Sequence, residues 1–244
     1  MTSSLRCIVT GTSSGIGAAI AADLRAHGHE VVGLDIDPGA DAGTTVRVDL
    51  ADRDARTGAW DEARGRLGEV DVLVNAAGVF REGSVLDSGP SDWDTVWRVN
   101  LEAPMDLMRC AAREMAPRGW GRIVNITSIH ARLGHPACLA YDTAKAALEA
   151  ATRSAALDLA GSGVLVNAVA PGFVRTRMSL LPDGTDESDT EDFRARYVEG
   201  GRLPLGRSAA ADEIAPVVRF LTSRDNTYTT GAVWGVDGGL GARF

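Results

Sequence analysis

The sequence predicts an α/β fold of the doubly wound type: a mainly parallel, seven-stranded sheet with helices on both faces. Three observations carry that expectation. Short apolar runs rich in Val and Ile recur along the chain, continuous rather than alternating, as in strands covered on both faces. Stretches of helical character separate them, as right-handed crossovers between parallel strands require. A glycine-rich turn joins the first run to the first helical stretch.

The apolar runs span residues 5–10, 30–36, 70–75, 122–127, 164–169 and 232–236, with a weaker one at 45–49. The helical stretches span 15–27, 52–67, 91–115, 141–160 and 211–221. No linker-like tract, repeat or low-complexity block divides them, so one domain over 1–244 is expected. Residues 172–206 break the regularity, being long and rich in charges and turn formers. Such loops are lids or binding segments, and this one follows a strand end beside the crevice where open α/β sheets bind ligands. The competing reading is a solvated surface loop, and Asp183, Asp186, Glu187, Asp189, Glu191 and Asp192 within it are expected to be solvated.

Composition narrows the classes. With 45% hydrophobic and 24% charged residues the chain is neither disordered nor fibrous, and 244 residues bury a full core without staples. A net charge of −8 repels phosphate backbones, so no nucleic-acid partner is expected. No apolar run is long enough to span a bilayer, and the glycine turn begins too early to leave room for a signal peptide. Cys7, Cys110 and Cys138 show no CxxC or Cys/His spacing, which suggests small core residues, no metal site and a cytoplasmic address.

The turn reads Thr10-Gly11-Thr12-Ser13-Ser14-Gly15-Ile16-Gly17. Gly11 takes backbone angles closed to other residues, Gly15 lets the main chain approach a pyrophosphate, and Gly17 lets helix and strand pack closely. The helix N-terminus then offers unpaired N–H groups to phosphates. This is the phosphate turn of a Rossmann-type dinucleotide site. Asp35, eighteen residues beyond Gly17, ends the second strand where a carboxylate accepts both ribose hydroxyls and repels the extra phosphate of NADP. Asp37 strengthens that field, and neither Ser14 nor Ile36 supplies a basic group, so NAD is the expected cofactor. Alternatively Asp35 merely opens a turn toward Pro38.

Tyr141 and Lys145 stand four residues apart in a helical stretch, which places both side chains on one face. A tyrosine titrates at about 10 unaided, and a nearby ammonium is expected to lower that value and make an acid/base at neutral pH. Ser128 ends a strand on the edge where the glycine turn opens, thirteen residues before Tyr141, and its hydroxyl is placed to hold a substrate oxygen. Read alone, the Tyr/Lys pair is surface decoration, Asn100 a solvent-facing helix residue, and Asp49 a cap for the helix that follows.

Together these residues resemble the short-chain dehydrogenase/reductase family over essentially the whole chain. Thr10 to Gly17 match its TGxxxGxG, Asn75-Ala76-Ala77-Gly78 its NAG motif, and Ser128, Tyr141 and Lys145 its catalytic residues. Asn100, the Pro171-Gly172 and Thr176 segment, and Asp237-Gly238-Gly239 match further positions. The resemblance implies that Tyr141 exchanges the proton, Ser128 holds the oxygen, Lys145 also binds ribose, and Asn100 anchors a water leading from Lys145. It implies cofactor contacts at Gly11, Ser13, Ser14, Gly15, Ile16, Gly17, Asp35, Ile36, Asp49, Leu50, Asn75, Ala76, Gly78, Tyr141, Lys145, Pro171, Gly172, Val174 and Thr176.

The expected reaction is reversible hydride transfer between NAD and a secondary alcohol/ketone pair. His130 and Arg81 fall at the mouth of the site, and a cation there suits a carboxylate or polyhydroxylated substrate, hence a small sugar, polyol or hydroxy acid. Arg81 alternatively is just exposed. Segments 75–83 and 159–164 also look like those of dihydrodihydroxybenzoate-type dihydrodiol dehydrogenases, and ketoacyl-thioester reduction with NADPH is a further alternative. A non-catalytic dinucleotide-binding regulator is the reading from a different class. Alanines around most of residues 141–160 suggest a helix covered by a second subunit, in a homotetramer or homodimer.

Overall fold

A computed structural model describes residues 4–39 and 43–242. Of the single domain expected over 1–244, residues 1–3, 40–42, 243 and 244 lie outside the described residues. The sheet strands are β1 (Arg6–Thr10), β2 (Glu30–Asp35), β3 (Thr45–Arg47), β4 (Val72–Asn75), β5 (Gly121–Ile126), β6 (Val164–Pro171) and β9 (Val233–Val236), with β7 (Val174–Arg175) and β8 (Ala209–Ala210) in a separate parallel pair. The seven strands run in the order β3-β2-β1-β4-β5-β6-β9, every pairing parallel. The seven apolar runs of the sequence are these seven strands.

The helices are α1 (Gly15–Ala26), α2 (Arg53–Leu67), α3 (Pro90–Trp97), α4 (Ala103–Arg118), α5 (Leu139–Asp158), the short α6 (Glu191–Phe193) and α7 (Ala215–Thr222). One core cluster joins β-strand residues such as Ile8, Leu34 and Ile123 to Trp60 of α2 and Leu107 and Met115 of α4. A second joins Cys7, Val9 and Val124 to Ile20 and Leu24 of α1 and Val218 and Leu221 of α7. The sheet is therefore covered on both faces, which is why its strands read as uninterrupted apolar runs. The order reverses between β1 and β4, and a crevice opens there beyond the strands' carboxyl ends.

Two expectations change. The helix expected at 91–115 is split by a π-helical turn, Arg98–Glu102, that carries Asn100. The segment 172–206 is not a structureless loop: Phe173, Phe193 and Tyr197 pack ring on ring at 4.6–4.9 Å. Nor are its acids all solvated. Asp186 is buried and accepts bonds from Ser179 and from the main chain and hydroxyl of Ser188, and Asp189 pairs with Arg175.

Candidate active site

Parallel strands deliver their loops to one rim, and every expected site segment lies there. The turn after β1 meets the segment after β4: the Thr10 hydroxyl accepts the N–H groups of both Ala76 and Ala77 at 2.9 Å. A Cβ on Gly11, whose φ is +73°, would lie 2.8 Å from Ala77 Cα, and one on Gly17 only 2.1 Å from the Gly11 carbonyl oxygen. Glycine at both positions is a steric requirement. Asp35 leaves β2 with its carboxylate toward the same turn, accepting the Ser13 and Asp37 N–H groups, each at 3.0 Å.

The other side of the crevice comes from β5, α5 and β6. Ser128 caps a 3-10 turn, its hydroxyl accepting the His130 N–H at 3.1 Å, and it is the neighbouring side chain that favours ionisation of the Tyr141 phenol. Lys145, one turn along α5, is buried, donates to the Ile126 carbonyl at 2.9 Å and holds its ammonium 5.7 Å from the Tyr141 ring centre. Burial pulls the lysine down to about 8. It pushes Tyr141 up to about 12, neighbouring Ser128 offsetting only part of that rise. The expected lowering of the tyrosine by Lys145 is therefore not met.

Asn100 is fully buried rather than solvent-facing. Its Oδ1 accepts the Val79 N–H at 2.9 Å and its Nδ2 donates to the Val79 carbonyl at 2.7 Å. A Cβ on Gly78 would meet Asn100 Oδ1 at 3.3 Å and Lys145 Nζ at 3.7 Å, so these three residues converge. The cap of α2 is Asp52, and Asp49 instead accepts the Ala51 N–H in a local turn.

The structure separates the two substrate candidates. His130 lies edge-on to Tyr141, ring centres 5.7 Å apart, and bonds Asp142 Oδ1 at 2.8 Å through Nδ1. Arg81 is exposed and folds back onto the Phe80 carbonyl, while the Phe80 ring meets Tyr141 at 5.6 Å. Phe80 carried no sequence signal beyond its proximity to Gly78. Two further residues escaped the sequence reading: Arg47, paired in register with Asp35 and bonded to the Ile36 carbonyl at 3.2 Å, and Met178, whose Cε would lie 3.9 Å from a Gly78 Cβ. Both depend on β-register or loop path.

A family model described as enoyl-(acyl carrier protein) reductase matches residues 11–241. The 3-oxoacyl-(acyl-carrier-protein) reductase FabG of Thermotoga maritima is 34% identical, covering 96% of this chain and 96% of its own length. The chain belongs to the short-chain dehydrogenase/reductase family. Among solved structures of the family, the ligand-free aldohexose dehydrogenase of Thermoplasma acidophilum superposes with a TM-score of 0.89 at 32% identity, covering 99% of this chain and 95% of that one. The gluconate 5-dehydrogenase of Burkholderia cenocepacia, in complex with NADP and tartrate, gives 0.89 at 29% identity over 100% and 98%. The chain is thus an oxidoreductase of a family that binds a nicotinamide dinucleotide and acts on small molecules.

The crevice of this family member fits that dinucleotide. Ser14 stands at the N-cap of α1 without a side-chain cap, which leaves the first-turn N–H groups for phosphate. A Cβ on Gly15 would meet Thr176 Cγ2 at 3.2 Å, so the bare backbone keeps the gap between turn and Thr176 open. Buried Asn75 donates to Asn125 at 2.8 Å, but its Oδ1 has no partner among the described residues. No described helix is long and apolar enough to cross a membrane.

Proposed function

We propose that the protein is an NAD-dependent dehydrogenase interconverting a small polar secondary alcohol, such as a sugar, polyol or hydroxy acid, with its ketone. The observation that carries the reading is Tyr141 beside Ser128, with buried Lys145 one helical turn on and its ammonium 5.7 Å from the Tyr141 ring centre, at the rim where the glycine turn opens. The bound nicotinamide supplies the hydride donor or acceptor. Ser128 holds the substrate oxygen while Tyr141 gives or takes its proton. With its pKa raised to about 12, the phenol carries its proton at neutral pH and is ready to donate it in ketone reduction. In alcohol oxidation Tyr141 has to take the proton as a phenolate, a form that a positive charge placed beside it would favour. Lys145 donates toward the cofactor ribose, and Asn100, which orders the turn at Val79, is the water anchor beside it.

Gly11, Ser13, Ser14, Gly15, Ile16 and Gly17 hold the pyrophosphate; Asp35, Ile36, Asp49, Leu50, Asn75, Ala76 and Gly78 take the adenosine side; Pro171, Gly172, Val174 and Thr176 take the nicotinamide side. Asp35 supports NAD, because a 2′-phosphate would face the carboxylates of Asp35 and Asp37. Arg47 supplies one cation nearby, already engaged with Ile36. His130, edge-on to the phenol, is the polar substrate contact, and the aldohexose and gluconate dehydrogenases among the similar structures support that substrate class.

A second reading, 3-oxoacyl-thioester reduction, is favoured by exposed Met178, Leu180 and Leu181 beyond Thr176, which suit an acyl chain, and by the reductase name of the 34% identical relative. A screen of sugars, polyols, hydroxy acids and cyclic diols with NAD, run beside a 3-oxoacyl thioester with NADPH, separates them. Tyr141→Phe is expected to lower turnover at least about a hundredfold. Equal binding of NADH and NADPH, with the ratio unmoved in Asp35→Ala, overturns the cofactor assignment.

A further inference from the structure

The turn after β5 and the first turn of α5 gather three metal-ligating side chains, with a fourth, His135, beside one of them, that the proposed reaction does not require as a set. One ligand atom each from His130, Cys138 and Asp142 lies within 4.8 Å of the others. His135 Nδ1 stands 3.6 Å from Cys138 Sγ and 3.0 Å from the Pro136 carbonyl oxygen, a bond it would exchange for the ion, and the His135 main-chain N–H donates to Asp142 Oδ2 at 3.0 Å. The sequence spacing had suggested no metal site. The fold brings the four together through a backbone that holds Ala137 at a φ of +58°, uncommon for a residue with a side chain.

We propose that His130, Cys138 and Asp142, with His135 as the fourth donor, form a binding site for a zinc ion. The donor set of two imidazoles, one thiolate and one carboxylate suits zinc; magnesium and calcium call for oxygen donors. In a tetrahedral zinc site, ordinary bond lengths put sulfur and nitrogen ligands about 3.6 Å apart, the separation already present between Cys138 and His135. The corresponding nitrogen–oxygen edge is about 3.3 Å, so the 2.8 Å His130–Asp142 hydrogen bond opens by roughly half an ångström as the ion replaces the shared proton. Zinc–sulfur bond formation sends the thiol proton to solvent, and the resulting thiolate with the Asp142 carboxylate balances the double charge. Glu82 and Glu187 both act on the Cys138 sulfur, adding negative field at the same point. The ion would tie the segment after β5 to the first turn of α5, stiffening the substrate side of Tyr141.

The test uses cobalt(II) as the spectroscopic probe and zinc as its competitor on the full-length protein. One equivalent of cobalt is expected to give the visible absorption of a tetrahedral ion together with a thiolate charge-transfer band, both removed by zinc, and zinc is expected to raise Tm. C138S should abolish the charge-transfer band and weaken binding at least tenfold, C110S should leave both intact, and D142N should weaken binding. Circular dichroism checks the fold of each variant, and H130A carries the same test if C138S does not fold. Absence of the bands at one equivalent, or bands retained in C138S, overturns the proposal. Neither readout requires turnover, so failure of the dehydrogenase reading leaves this result independent.

Discussion

Asn100 holds both main-chain groups of Val79, accepting the N–H at 2.9 Å and donating to the carbonyl at 2.7 Å. The side chain can reach them because a π-helical turn, rather than continuous α-helix, carries it across the rim. Asn100→Ala would leave two half-buried backbone groups without their partner and is expected to cost roughly 1–3 kcal/mol in urea unfolding, with lost activity. Asn100→Asp keeps the acceptor but sets a buried carboxylate oxygen against the Val79 carbonyl, so it should cost at least as much as alanine. Unchanged stability in the alanine variant would contradict this role.

Lys145 makes stability depend on alkaline pH. Its folded-state value, about 8, lies below the ordinary value of 10.5, so between those limits the unfolded chain binds more protons and stability rises with pH. The contribution is complete above 10.5 and is lost as pH falls through 8. Tyr141 acts oppositely, its rise from 10 to about 12 removing stability across that window. The difference in unfolding free energy between the wild-type protein and Lys145→Met is expected to change by about 3 kcal/mol from pH 8 to 10.5, growing in favour of the wild type. A pH-independent difference would show that the ammonium is not desolvated.

Gly17 and Gly65 offer a matched comparison. A Cβ at 17 would sit 2.1 Å from a backbone oxygen, whereas one at 65, within α2, meets nothing within 4 Å. Gly17→Ala is expected to destabilise by roughly 1–3 kcal/mol and to abolish dinucleotide binding. Gly65→Ala should stabilise by up to about 1 kcal/mol. Urea midpoints and NADH titration would measure both.

On α5, Ala150, Ser154 and Leu157 share an exposed flank, Leu157 with 79% of its surface open. Cover by a second subunit is the proposed reason for the helix's apolar circumference. Light scattering at micromolar concentration should give a dimer or tetramer, and Leu157→Arg should shift it toward monomer. A monomeric wild type would end the proposal.

How legible each part was follows from where its cause lies. The central strands β1, β4, β5 and β6 were readable because burial on both faces leaves a local signature in nearly every residue, whereas β9 at the sheet edge is half exposed and was read from its apolar run alone. The Ser128, Tyr141 and Lys145 set was readable because one strand end and one helical turn position it. The π-turn was not, since it depends on Asn100 finding Val79 from a different crossover. Asp186 was misread as solvated because its partners, Ser179 and Ser188, approach only after the segment folds on itself. The high tyrosine pKa was likewise hidden, because sequence reports the neighbouring charge but not the water excluded around it.

The rings of Phe173, Phe193 and Tyr197 give the segment beyond β6 its own small knot of packing. A flap assembled in advance surrenders little freedom when a ligand arrives, so less of the contact energy is spent on stilling the chain. Loosening that knot, as Phe193→Ala would, should therefore show itself as weaker substrate capture while the proton-exchanging residues beneath remain in place.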